Sequence, residues 1–347
     1  TTVGASTQPR FWQGTVVLGD GSRYTGASIT AGVGPSGLVD GADAGSSICV
    51  PRRLDEELVR GKIVLCQRGG VGRPVKSLAV NWAGGVGMIL YDNNDEGTLA
   101  ADEHWTPAVH VDNTPGLAIK AYVDSAGASA TAEIVAEQVG EWNSARSMTH
   151  FSSRGPNPSA ADIIKPDITA PGIQILAGYT PTPDPGTTPP PGELFAAIAG
   201  TSMSSPQVAG AFALIKQAHP DWSAAMAKWA VMTTAYREVV DNDRVSQADP
   251  FDMGSGHLNL GNAVHKGSAF QPGLAYDAGL FEYAAFTCGM DWGVVTSGSC
   301  DFLGSIGVPF EAYNLNVPSI GIAELPGSQT VVRTVTSVAQ ESGWRDY

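Results

Sequence analysis

Apolar and polar positions alternate over residues 11–30, FWQGTVVLGDGSRYTGASIT, in two runs on either side of Gly19-Asp20-Gly21. A period of two broken by a tight-turn signal predicts a β-hairpin. From 36 to 137 the texture changes to short β-rich runs, GKIVLC (61–66), GVGMILY (85–91) and PAVHV (107–111), interleaved with helical spacing near 74–83 and 115–126. Such interleaving, with glycines at the joints, predicts one compact α+β unit.

Beyond Val139 come FSSRGPNP (151–158) and IIKPDITAPGIQILAGY (163–179), followed by TPTPDPGTTPPPGE (180–193). The last stretch holds too much proline for a helix or a central strand and is expected to be a surface loop. A helix is expected from Ser202 to Gln217, with Val208, Ala209, Phe212, Ala213 and Ile215 spread around it among other small residues. Small residues on every side predict close packing on all faces, with Pro206 in the first turn. A second helix is expected over 223–234. Past 311, LNVPSIGIAELPGSQTVVRTVTSV reads as two strand-like segments at hairpin spacing, too few for a stable unit alone.

Composition narrows the functional classes. The chain has 347 residues, 43% of them apolar, which suits a globular protein of two domains or more. Twenty Lys and Arg against 34 Asp and Glu leave a formal charge of -14, and no basic run could track phosphates, so nucleic acid is not an expected partner. No apolar run is long enough to span a membrane, and TTVGASTQPR lacks the pattern of a signal peptide. Four cysteines fall into two close pairs, Cys49/Cys66 and Cys288/Cys300, without the CxxC spacing of zinc or thioredoxin chemistry. Two local disulfides in an oxidising compartment are one reading, and four buried thiols are the other.

Ser202 carries the candidate chemistry. A serine hydroxyl is a weak nucleophile that needs a neighbouring base and donors for the oxyanion. At a helix N-terminus it has unsatisfied backbone N–H groups and the positive end of the helix dipole beside it, and Gly200 lets a substrate backbone approach. A serine there could equally be a helix cap. The flanking motifs favour chemistry. G-T-S-M-S-S-P-Q-V-A-G at 200–210, with FSSRGP (151–156) and KPDITAPG (165–172), resembles the subtilisin-like serine proteases. More narrowly, GKIVLC and AGGVGMILY are similar to a protease-associated domain inserted before the serine. MGSGHLNLGNAV (253–264), PGLAYD (272–277) and NLNVPSI (314–320) are similar to segments that join the catalytic domain to a fibronectin-III-like domain.

The resemblance implies an α/β architecture, the C-terminal half of a parallel-sheet peptidase domain. Its expected segments are 1–35 and 138–268 for the peptidase, 36–137 for the inserted α+β domain, 269–310 for a connection and 311–347 for the truncated start of a fibronectin-III-like domain. It also implies a secreted endopeptidase acting on polypeptides through an acyl-enzyme at Ser202, with Gly200, Thr201 and Met203 around the nucleophile. Family members take their histidine from an H-G-T-H type motif, and none of the histidines at 104, 110, 150, 219, 257 and 265 has it. His219 lies 17 residues along the expected helix, about 25 Å away. The catalytic Asp, His and oxyanion Asn are therefore expected upstream of residue 1, which makes the chain an inactive fragment.

Two other readings stand beside this one. The chain could be a non-catalytic module that binds proteins through the inserted domain. It could also belong to the carboxyl-type serine peptidases, against which FSSRGP and the inserted domain argue. No cofactor is expected. Calcium use is open, because no dense calcium-loop pattern is present. No N-x-[ST] sequon with an allowed middle residue occurs, which leans towards a bacterial or unglycosylated product.

Overall fold

A computed structural model describes residues 1–95, 99–141, 146–182, 192, 194–261 and 267–339. The chain divides into two compact units. One comprises residues 1–7, 146–172 and 200–347, and the other residues 8–145 and 173–199.

In chain order the first unit contributes strand β1 (Val3–Ser6). The second unit then runs through β2 (Arg10–Leu18), β3 (Arg23–Ala27), β4 (Val33–Asp40), α1 (Glu56–Val59), β5 (Ile63–Gln67), α2 (Arg73–Trp82), β6 (Gly87–Tyr91), β7 (Ala108–Val111), α3 (Asn113–Ala126) and β8 (Thr131–Glu141). These seven strands close a barrel in the order β2-β3-β7-β6-β5-β4-β8. The middle strands β4, β5, β6 and β7 pair in parallel. Both faces of β5 are covered: Ile63 and Leu65 pack with Ile89, Val109, Ile119 and Ile134, while Val64 and Cys66 pack with Ala79 and Val80 of α2. That accounts for unbroken apolar runs in the sequence instead of alternation.

The barrel moves the expected domain boundary. The hairpin over 11–30 forms, yet it does not lie outside the α+β unit as expected. Its strand β2 pairs with β8 from Arg10↔Glu141 to Leu18↔Ala132, and β8 also pairs with β4. β8 is thus the strand that closes the barrel, and the compact unit begins at residue 8 and reaches 145, not 36 and 137. The Cys49–Cys66 disulfide lies inside this unit, with 5.7 Å between its Cα atoms.

Strand β9 (Ile168–Pro171) belongs to the first unit and pairs in parallel with β1, Val3↔Ile168 to Ser6↔Pro171. The hairpin β10 (Ile175–Gly178) and β11 (Phe195–Ile198) belongs to the second. Most of the proline-rich stretch between them, 183–191 and 193, lies outside the described residues. The first unit continues with α4 (Thr201–Ala218), α5 (Ala224–Thr233), α6 (Pro250–Met253), β12 (Leu274–Tyr276), α7 (Leu280–Gly289), α8 (Ser297–Ser305) and β13 (Val335–Ser337). Its core joins Val3, Ile168 and Ala170 of the parallel pair to Val208, Ala211 and Ile215 of α4 and Ala227, Ala230 and Val231 of α5.

Four expectations fail in this unit. Helix α4 buries a single stripe, Ser204, Val208, Ala211 and Ile215, so its small residues permit close packing without enforcing it. Pro206 is the sixth helical residue, beyond the first turn. The segment after 311 forms no hairpin of its own among the described residues: β13 pairs antiparallel with β12, Leu274↔Ser337, instead of with a neighbouring strand. The stretch expected to be a mere connection, 269–310, holds the α7–α8 pair clamped by the Cys288–Cys300 disulfide, with 5.8 Å between Cα atoms.

Candidate active site

The site is built where β9 ends and α4 begins. The Gly172 N–H donates to the Ser6 carbonyl at 2.9 Å, and its own carbonyl accepts the Gly200 N–H at 2.7 Å. This tie fixes the entry of α4 against the end of the parallel pair. Only glycine suits position 172, since a Cβ there would lie 2.2 Å from Ser204 Oγ and 2.8 Å from both Ala5 Cβ and the Gly200 carbonyl oxygen. The Gly200 carbonyl then accepts the N–H groups of Met203 (2.9 Å) and Ser204 (3.4 Å). The N–H groups of Thr201 and Ser202 precede that first helical bond and point out of the helix start.

Ser202 is exposed, with Thr201 and Met203 half-buried on either side. Its Oγ makes no hydrogen bond to a described residue, and the helix N-cap, Gly200, supplies no side chain. Ser202 is therefore not the cap. Pro206 lacks the N–H that would otherwise bond the Ser202 carbonyl one turn back, so the first turn of α4 is held by the Gly200 carbonyl and the Gly172 tie. Beneath it Ser204 is fully buried, and its Oγ has no partner among the described residues.

None of the described histidines is hydrogen-bonded to Ser202. His104 and His110 belong to the barrel unit. Exposed His150 meets Phe151 edge-on at 5.4 Å between ring centroids. His219 follows the last residue of α4, where its Nε2 sits 2.7 Å from the Phe270 carbonyl and its ring stacks on Trp222 at 4.0 Å. His257 holds Nδ1 3.0 Å from the Leu258 carbonyl, and burial pulls its imidazole below the ordinary range. His265 lies outside the described residues.

Two charged clusters that sequence reasoning left inside motifs hold this unit together. Asp167, nearly buried, takes both its oxygens to Lys165 Nζ at 2.8 Å, meets Lys228 Nζ at 3.0 Å and accepts the Thr2 N–H at 2.7 Å. Burial works to raise this carboxyl, but Lys228 and Lys165 outweigh it and hold it below the usual carboxylate range. It pins the start of β1 beside β9. Arg154, from FSSRGP, gathers Asp241 (2.6 Å), Asn242 (2.8 Å) and Asp252. Lys165-x-Asp167 was the available signal for the first cluster, and nothing local signalled the second. Among the described residues no group of three or more His, Cys, Asp or Glu side chains is arranged to hold a metal ion.

Residues 3–256 match the model of the subtilase family, peptidase S8. The chain belongs to the subtilase family. It is 40% identical over 373 residues to the subtilisin-like protease SBT1.6 of Arabidopsis thaliana, covering 98% of this chain and 47% of that protein. To SBT1.4 of the same plant it is 40% identical over 306 residues, 84% of this chain and 38% of the relative. The chain thus spans less than half the length of these relatives. Among solved structures, the psychrophilic subtilisin-like protease Apa1 from the Antarctic psychrotroph Pseudoalteromonas sp. AS-11 covers 74% of this subtilase chain and 50% of its own, at 18% identity and a TM-score of 0.27. An aminopeptidase from Aneurinibacillus sp. strain AM-1 covers 41% of this chain and 34% of its own, at 20% identity and a TM-score of 0.28. Neither score supports an argument about fold.

Proposed function

We propose that Ser202 is the nucleophile of a secreted serine endopeptidase that hydrolyses polypeptides, and that the barrel over 8–145 is a protease-associated module inserted in the peptidase chain. The observation that carries this reading is the exposed Ser202 hydroxyl, uncommitted among the described residues, beside the N–H groups that open α4. In this chemistry Ser202 Oγ attacks the scissile carbonyl carbon and loses its proton to a base. The tetrahedral oxyanion then collapses to an acyl-serine, and the amine leaves with that proton. The Ser202 N–H is a donor for the oxyanion, and Gly200, Thr201 and Met203 shape the approach. Water repeats the sequence on the acyl-enzyme and restores the hydroxyl.

The base in this account is an imidazole other than the five described histidines, and the oxyanion asparagine likewise comes from elsewhere. General-base help contributes about 100- to 10,000-fold, and triad members act as a unit, so the 347-residue chain alone is expected to show no turnover. The test is casein hydrolysis by a subtilase of the relatives' full length that contains these residues. Hydrolysis abolished by Ser202→Ala supports the reading, and hydrolysis that survives the substitution refutes it. Under the second reading, a module that binds polypeptides through the barrel, neither the chain nor the longer protein would hydrolyse casein.

A further inference from the structure

From Gly267 to Val332 the sequence holds no Lys, Arg or His, against the six carboxylates Asp277, Glu282, Asp291, Asp301, Glu311 and Glu324. None of the six has an ion-pair partner among the described residues. The hydrogen bonds they do accept come from neutral groups: the Ser223 hydroxyl to Asp277, the Gly279 N–H to Glu282 and the Asn314 amide to Glu311. Their charge is therefore left standing. Tyr283 of α7 registers it, since burial and the carboxylates Asp167, Asp277 and Glu282 all push its hydroxyl up.

The same stretch exposes apolar side chains in one place. The Cys288–Cys300 disulfide holds α7 against α8, and Phe281 of α7 meets Phe302 of α8 edge-on at 6.4 Å between ring centroids. Both rings are about half exposed, as is Ile306 one turn beyond Phe302, whereas Leu303 on the inner side of α8 is buried. Trp292, also about half exposed, stands edge-on to Phe286 of α7 at 5.6 Å. Each exposed ring has a carboxylate as its chain neighbour, in Phe281-Glu282, Asp291-Trp292 and Asp301-Phe302. Clustered apolar side chains left to water mark a contact surface, and rings set among uncompensated carboxylates favour cations.

We infer that the α7–α8 face docks a cationic amphipathic segment of another polypeptide. Its aliphatic side chains lie against Phe281, Phe302 and Ile306, and its lysines or arginines meet the carboxylates beside those rings. Charge complementarity selects this occupant. A second copy of the chain would bring one set of unpaired carboxylates against another, and an anionic lipid surface would be repelled in the same way. The disulfide keeps the two helices together before binding, which lowers the cost of ordering the face. The inference does not depend on Ser202 chemistry, because its test reads binding alone in a chain that cannot acylate.

The 347-residue chain carrying Ser202→Ala is titrated into the fluorescein-labelled peptide LKKLLKLLKKLLKL, and into the same peptide with glutamate for every lysine, at ~0.15 M salt, with anisotropy as the readout. The lysine peptide should saturate below ~100 μM and the glutamate peptide should not bind. Phe302→Ser should weaken the lysine peptide about tenfold. Asp291→Asn with Asp301→Asn should weaken it about fivefold, while Asp43→Asn with Glu57→Gln, which removes the same charge from the barrel unit, should change it less than twofold. Both paired variants alter exposed side chains alone, so their comparison decides the matter if Phe302→Ser does not fold. Equal binding of the two peptides, equal losses from the two paired variants, or no saturation by ~100 μM overturns the inference. So does a dimer in sedimentation that Phe302→Ser splits, since the face would then belong to a second copy.

Discussion

At the scale of single residues, position 172 shows how backbone contact fixes the candidate nucleophile. Any side chain there collides with Ser204 Oγ and the Gly200 carbonyl. Gly172→Ala should therefore cost about 2–3 kcal/mol and displace the start of α4, read as a drop in the urea midpoint. Gly210, on the exposed side of the same helix, is the control: a Cβ there meets nothing within 4 Å, so Gly210→Ala should raise stability by about 0.5–1 kcal/mol. Asp167 makes a different prediction. Its carboxyl is depressed in the folded chain, so the stability it contributes is complete above its unfolded value near 4 and is lost as pH falls through the lower folded value. Asp167→Asn should cost about 3 kcal/mol at neutral pH by stranding Lys165 and Lys228, and the gap to the parent chain should close in acid below pH ~4. A gap that stays constant down to pH 2 would show that the carboxylate charge is not what Asp167 contributes.

At the scale of elements, what was legible in the sequence is what local pattern determines. Helices α2 and α3, strands β5 to β7 and the β2–β3 hairpin fall where the period and turn signals place them, and Ser223 caps α5 by accepting the Met226 N–H at 3.0 Å. What was not legible depends on partners far away in the chain. Nothing near residues 131–141 tells that β8 pairs with β2 on one side and β4 on the other, so the hairpin was assigned to the wrong body. β13 likewise finds β12 some sixty residues earlier. The small residues of α4 carried no directional signal, because glycine and alanine suit an open face as well as a crowded one. For the site, the Gly-Thr-Ser motif marks the candidate nucleophile, whereas the Gly172 tie appears only in the folded chain. The boundary correction can be checked directly. A chain of residues 8–145 should unfold cooperatively, while 36–137, which lacks β2, β3 and the end of β8, should give no cooperative transition. Cooperative unfolding of 36–137 would restore the narrower boundary.

At the scale of the whole molecule, a subtilase chain carries the candidate nucleophile Ser202 at the head of a helix in one compact unit, while the second unit holds the closed barrel. The central claim is that Ser202 is the nucleophile and that its base is none of the described histidines. The most direct test is the intact mass of the protein after exposure to a fluorophosphonate, which phosphonylates an activated serine and expels fluoride. The account predicts no adduct on the 347-residue chain, and one adduct on a full-length subtilase containing it that disappears with Ser202→Ala. A Ser202-dependent adduct on the 347-residue chain alone would contradict it, because a base would then have to act from within these residues.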